Sequence, residues 1–326
     1  MKHARLKIIF SIFCLVLYFF NAGCGQQAGT SATTTTSSAG ATTTTTFGLS
    51  QVNDFLYQLQ NISLEAIGTT EYDLVVLDFS PGGSTDWSPS QITALKNSSG
   101  GKKLVYAYLD IGEAERYRYY WQAEWVVGNP DWIAAASPNY PDSYRVKFWD
   151  PGWQAIIFGS SDSYLDKIIA AGFDGVVLDV VDIYRLWEQG GGLTPVNSTA
   201  SQDMISFVEA IADYARANSG NPDFGIIPNN AIGLSSSSAY VNTVSGILRE
   251  ELWYSDYLPR SADDRNYDIA RLDIFKHAGK PVFDIEYVSG EAINDIYNLS
   301  QAQGYIPFAT TVELDKLIIN LGHAPD

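Results

Sequence analysis

Cysteine is almost absent from this chain of 326 residues: Cys14 and Cys24 are its two examples, both near the N-terminus. Everything beyond them therefore folds without an internal disulfide and must be held together by its own apolar core. Histidine is nearly as scarce. His3, His277 and His323 make up the whole complement, and none stands at a metal-ligand spacing or beside a candidate nucleophile, which argues against a zinc centre and against a Cys/His or Ser/His/Asp catalyst. Basic residues are also short, 20 against 37 acidic ones, and the resulting net charge of -17 argues against nucleic acid as a partner. Such a surface has two readings, a domain that is simply soluble or one whose field attracts a cationic polymer, and charge alone does not choose between them. The glycine-containing loop at residues 79–84 has neither the dinucleotide fingerprint nor the lysine of a phosphate loop, so it reads as a turn. No metal or organic cofactor is implied.

What is present begins with a leader. Lys2, Arg5 and Lys7 precede an apolar run over residues 8–20, too short to span a bilayer comfortably and built like a secretory signal. Asn21-Ala22-Gly23-Cys24 resembles a lipoprotein processing box, although Asn21 stands where Leu is usual. The expectation is a signal peptide over 1–23, lipidation at Cys24, and an exported chain that meets a membrane only through that anchor. Residues 24–46 are rich in Thr, Ser, Gly and Ala and lack large apolar side chains. Such a segment cannot offset its ordering entropy by burial, and it reads as a tether.

Residues 47–326 are near the usual size of one (β/α)8 barrel. Short apolar runs alternate with helix-like segments, the signature of βα units around a parallel sheet. The runs fall at 73–79, 103–110, 144–149, 175–181, 224–228, 246–250, 281–285 and 306–310, and eight of them predict an α/β fold closed as a single TIM barrel. Helices are predicted over 88–96, 153–171, 201–218, 266–278 and 289–303, with Gly172 and Gly279 ending two of them. The chain is expected to act as a monomer.

Barrel enzymes carry their chemistry at the C-terminal ends of strands. The acids there are Asp78, Asp110, Asp179 with Asp182, Glu250 with Glu251, and Glu286. Asp179 follows the buried run Val176-Val177-Leu178, where a charge is expensive unless paired or used. Glu250 precedes an aromatic cluster with Trp253 and Tyr254. Strands four and six would bring these two carboxylates to one mouth, where about 5–5.5 Å between them suits a retaining glycosidase and about 6.5–9.5 Å an inverting one. Aromatic residues at strand ends, Tyr108, Trp149, Trp253 and Tyr254 among them, offer flat faces for sugar rings.

The stretches Phe55-Leu56-Tyr57-Gln58-Leu59-Gln60, Tyr72 to Asp78, Tyr108-Leu109-Asp110-Ile111-Gly112-Glu113-Ala114-Glu115 with Tyr117, Arg118 and Trp121, Val146-Lys147-Phe148-Trp149-Asp150-Pro151, the Asp179 segment and Arg249-Glu250-Glu251 occur in an order that resembles glycoside hydrolase family 114, the endo-α-1,4-polygalactosaminidases and their TIM-barrel relatives. The resemblance implies endo-hydrolysis of α-1,4-linked galactosamine-containing polysaccharide, a partly cationic substrate. It places Asp179 as the catalytic aspartate, here taken as nucleophile, and Glu250 as the catalytic glutamate, taken as general acid/base, with Trp253 and Tyr254 expected to bury it. Asp182 and Glu251 stand as competitors for those roles. Asp78, Tyr108, Asp110, Trp149, Asp182, Asn230, Glu251, Trp253, Tyr254 and Glu286 are the candidate substrate-binding residues, while Glu113, Arg118 and Trp121 are equally well suited to holding their loop together. A surface module that binds polysaccharide without cleaving it, or a hydrolase of a different polysaccharide, are the alternative readings.

Overall fold

The computed structural model describes residues 47–83 and 85–326; the leader, Cys24 and the Thr/Ser-rich segment lie outside the described residues. Among those described, eight parallel strands carry the fold: β1 (Phe55–Gln58), β2 (Leu74–Asp78), β3 (Leu104–Asp110), β4 (Gly175–Asp179), β5 (Gly225–Pro228), β6 (Ile247–Glu250), β7 (Val282–Tyr287) and β8 (Ile306–Thr310). Val, Ile and Leu dominate several of them, and β2 is buried at every position, because a parallel sheet covered on both faces leaves no wet side. The strands β1 to β5 pair in chain order, as do β6 to β8.

Backbone groups join β5 to β6, where Asn229 bridges to Leu248 and the Ser245 N–H donates to the Ile226 carbonyl at 2.7 Å. Between β8 and β1 ring packing and the backbone of the flanking loops make the contact. Phe55 packs on Phe308 with ring centroids 5.5 Å apart, and the N–H groups of Leu59 and Gln60 donate to the Leu314 carbonyl at 2.9 and 3.1 Å. The arrangement is the expected (β/α)8 type. Near its lower end Tyr106 lies against the first residues of β4 and β5. A Cβ on Gly175 would meet that ring at 2.5 Å and one on Gly225 its hydroxyl oxygen at 1.8 Å, so only glycine fits either place.

Helices over Pro89–Lys96, Ala200–Asn218, Ala262–His277 and Ala292–Gln303 connect strands. The longest of these, Ala200–Asn218, buries Met204, Phe207, Val208 and Ile211 on one face, as its spacing predicts. The helix expected over 153–171 is instead two, Pro151–Ile157 and Tyr164–Ala170. Phe158 is extended and Gly159 sits at φ 114°, a backbone state that opens the helix between its two apolar halves. Gly172 and Gly279 have φ of 84° and 73° and end their helices as expected. No helix among the described residues is long and apolar enough to cross a membrane.

One predicted strand is not part of the parallel set. Within 144–149, the segment Ser143–Val146 is the central strand of a small antiparallel sheet, between Glu113–Glu115 and Ile133–Ala136. Its polar middle residues are half-exposed, as an excursion over the mouth permits and a two-sided core does not. Phe55–Gln58 takes the missing place at the front of the order, so Asp179 and Glu250 still end the fourth and sixth strands.

The excursion after β3 is packed down by tryptophans. Trp121 meets Tyr144, and Trp132 meets Trp125 and Trp153, with centroids 4.8 to 5.2 Å apart. Beneath them Arg118, itself buried, donates to Asp78 Oδ1 and to Glu115 Oε2, each at 2.7 Å, and the Tyr117 hydroxyl donates to Glu115. This ties the excursion to the end of β2, the structural role weighed for Arg118 and Trp121. Asp78, proposed for substrate, is therefore a buried ion-pair partner. Removing one member of such a network leaves charges buried and unpaired, so Arg118→Ala should cost about 3–5 kcal/mol. Urea melts would read the loss, and a change under about 1 kcal/mol would refute the assignment.

Glu113 lies on the same excursion. Burial pushes its carboxyl up to about 7, against the lowering effects of Ser137 and Arg145. The folded state then keeps a proton there, between about pH 4.5 and 7, that the unfolded chain has released. The associated stability is present below that window and is lost as pH rises through it. Unfolding free energy should fall from about pH 5 to about pH 8, and Glu113→Gln should flatten the fall; equal slopes for the two proteins across this range would contradict it.

Candidate active site

The upper ends of β3 to β7 supply the side chains that meet at the mouth. Asp179 is the last residue of β4, and register places it beside Asp110 of β3. Its Oδ2 accepts from the Tyr108 hydroxyl at 2.9 Å. Its Oδ1 accepts from the Val180 N–H at 2.8 Å and from Asn229 Nδ2 at 3.0 Å. Glu250 ends β6. Its Oε2 accepts from Asn230 Nδ2 at 2.7 Å and from Asn229 Nδ2 at 3.2 Å, while the Tyr287 hydroxyl donates to Oε1. A single amide nitrogen thus touches both carboxylates, and the two oxygens it joins are at most about 6 Å apart.

Each of these three strand ends turns in the same way. Val180, Asn230 and Glu251, the residues directly after Asp179, Asn229 and Glu250, have φ of 57°, 58° and 55°. A β-branched residue such as Val180 is costly there, and strain of this kind gathers where a side chain must be aimed. Gly112 makes room for the first turn, since a Cβ there would meet the Val180 carbonyl oxygen at 2.3 Å.

Support for Glu250 reaches the outer layer. Asn230 Oδ1 accepts from the Glu250 N–H at 3.0 Å and from Arg249 Nη1 at 2.7 Å. Arg249 in turn pairs with Asp268 at 2.9 Å, as does Arg260 at 2.8 Å. Burial works against the Asp268 charge, but the two guanidinium groups hold its carboxyl below the usual range. On the other side, burial and then the nearby Glu250 push the Tyr287 hydroxyl well above its ordinary range, so it stays protonated and available to donate.

The other expected residues divide by burial. Tyr108 and Asn230 do reach the carboxylates. Asp182 is half-buried just past β4, and burial pushes its carboxyl up to about 6, with Asp179 and Glu250 acting in the same direction. Trp149 is half-buried against Trp187, at 4.7 Å between centroids, and the half-buried Tyr254 donates to Asp295 at 3.1 Å. Asp110 is buried, and its Oδ1 caps the turn after β3 by accepting from the N–H groups of Gly112 and Glu113 at 2.9 and 2.7 Å.

Trp253 and Glu286 are corrections. The indole N–H of Trp253 donates into the core, to Asp284 Oδ2 at 2.9 Å and Ser300 Oγ at 2.6 Å, and the buried ring offers no open face to sugar. Glu286 is fully buried and accepts from the Trp253 and Tyr254 N–H groups at 2.7 and 3.3 Å; it shapes the loop after β6. Glu251 extends the β6–β7 ladder by donating its N–H to the Ile285 carbonyl at 2.9 Å, while Glu250 is the residue joined to Asp179 through Asn229.

Sequence reasoning missed Asn229 and gave Tyr287 no role beyond that of an aromatic near a strand end. Reading β7 as ending at residue 285 made Glu286 a strand-end acid; the strand continues to Tyr287, which alternation aims oppositely to Glu286. For Asn229 the neighbouring Asn230 offered the same chemistry, and nothing local ranks the two.

The family model described as Glycoside-hydrolase family GH114 matches residues 33–323. A Deinococcus radiodurans protein described as uncharacterized is 37% identical over 259 residues, covering 79% of this chain and 79% of its own. One from Methanocaldococcus jannaschii, likewise uncharacterized, is 36% identical over 276 residues, covering 80% and 77%. Among solved structures, the glycoside hydrolase domain of PelA from Pseudomonas aeruginosa superposes with a TM-score of 0.61 at 19% identity, covering 82% of this chain and 97% of that one. Aspergillus fumigatus Ega3 in complex with galactosamine gives 0.61 at 18%, covering 85% and 98%. At such identities the structural likeness speaks for the fold, and the sequence match speaks for kinship: the chain belongs to glycoside-hydrolase family GH114.

Proposed function

We propose that this chain is an exported, endo-acting hydrolase of α-1,4-linked galactosamine-containing polysaccharide that retains anomeric configuration, with Asp179 as nucleophile and Glu250 as general acid/base. The observation that carries the reading is the bridge through Asn229. It keeps one oxygen of each carboxylate within about 6 Å of the other, a pairing that suits the roughly 5–5.5 Å spacing of a retaining enzyme better than the roughly 6.5–9.5 Å that leaves room for an inverting water. In the first step an Asp179 oxygen bonds to the anomeric carbon while Glu250 gives its proton to the departing glycosidic oxygen. In the second, Glu250 takes a proton from water, whose oxygen displaces Asp179 and frees the carboxylate for another cycle.

The substrate class draws support from the galactosamine held by Ega3 and from the net charge of -17, which favours a polymer with free amines. Asp182, Trp149 and Tyr254 are the half-buried groups best placed to meet it. Export with a lipid on Cys24 rests on the leader and the small residues before that cysteine.

The test is product release from de-N-acetylated and acetylated α-1,4-galactosamine polymer by residues 47–326, with the first-formed anomer read by NMR. Asp179→Asn and Glu250→Gln should each lower kcat by about a thousandfold or more while remaining folded. An inverted product would overturn the mechanism. Retention of polymer without cleavage would instead support a binding module.

A further inference from the structure

We propose that Asn229 is a positioning residue that sets the spacing of the two carboxylates and holds them in one hydrogen-bonded unit. The proposal rests on the two-carboxylate reading above. Three separate observations carry it. One Asn229 nitrogen lies 3.0 Å from Asp179 Oδ1 and 3.2 Å from Glu250 Oε2, and the two hydrogens of a planar amide point along fixed, diverging directions, so each carboxylate is held at a set angle as well as a set distance. Asn229 is also buried, at 1% exposure, so it works from beneath the cleft instead of touching a polymer in it. Finally, it shares the backbone device of the two acids, a functional side chain at a strand end followed by a residue at positive φ.

The amide is placed for this task at a cost to itself. Asn229 Oδ1 is buried with no hydrogen-bond partner, an arrangement a structural asparagine would avoid. The backbone of Asn229 is secured independently, its N–H donating to the Leu178 carbonyl at 2.8 Å, so the side chain is not needed to hold β5 against β4.

Other charged and titratable groups surround the pair: Asp110 and Glu113 on the β3 side, Asp182 and Arg249, and Tyr287 with Tyr57. Loss of a donor disfavours the charged form of a carboxylate. In Asn229→Ala the two carboxyls should therefore both titrate higher than in the wild type. Carbon NMR of selectively labelled carboxyls reads this without any substrate. Titrations of both groups unchanged in a folded Asn229→Ala protein would overturn the proposal.

Asn229→Leu keeps most of the shape and removes the donor without adding a charge, guarding against a variant that fails to fold, and should move the two titrations in the same direction. In turnover, Asn229→Ala should lower kcat about a hundredfold with KM within about threefold, the mark of an effect on the reacting groups and not on binding. A wild type that does not cleave the galactosamine polymer would remove the substrate reading, and the carboxyl titrations would still decide the role of Asn229.

Discussion

A carboxylate taken out of water must be given donors, and that requirement organises the upper half of this fold. Burial opposes ionisation of Asp78, Asp110, Glu113, Asp284 and Glu286 alike, and each is answered differently. Asp78 shares Arg118 with Glu115. Asp110 takes backbone N–H groups and so becomes a cap. Asp284 and Glu286 accept from the Trp253 indole and from the backbone of the loop above them. Several of these contacts also fix a loop: Arg118 ties the excursion after β3 to Asp78, Asp110 caps its first turn, and Glu286 shapes the loop after β6. Electrostatic need and loop geometry are thus met by the same contacts.

Asp179 and Glu250 are the exception that gives the site its character. Phenols, a backbone N–H and side-chain amides donate to them, and the half-buried Arg249 donates to Asp268 and to the amide oxygen of Asn230. Arg249 therefore acts through Asn230, orienting the amide that holds Glu250. Outer-layer charge reaches the mouth by this route as orientation.

Much of this was legible beforehand because it depends on local pattern. Apolar runs ending in acids mark parallel strands, and a charge directly after Val176-Val177-Leu178 must be used or paired. What was not legible depends on distant partners or on parity. Asp78 resembles Asp179 until Arg118, forty residues on in sequence, is seen to claim it. The four residues of β1 are too few to show a period, and Ser143–Val146 is a real strand in a different sheet. Glu286 and Tyr287 exchange roles when the end of β7 moves by two residues, since a one-residue change reverses the face. Asn229 carries no charge and forms no motif, so it becomes visible only when both carboxylates are placed around it.

The neutrality of that bridge follows from the chemistry. An arginine in its place would supply more donors, but an opposite charge within a few ångströms lowers a carboxyl pKa by about 1–3 units. A residue that must give up a proton in one step and recover one in the next works best with its pKa near the working pH, and a fixed cation would hold it ionised throughout. Lysine would add the same charge on a flexible stem and fix no angle. Serine has one hydrogen and can serve one carboxylate at a time. Of the side chains small enough to sit at the end of β5, an asparagine amide provides two rigid donors without a charge, which lets the spacing of Asp179 and Glu250 stay constant while their protonation changes.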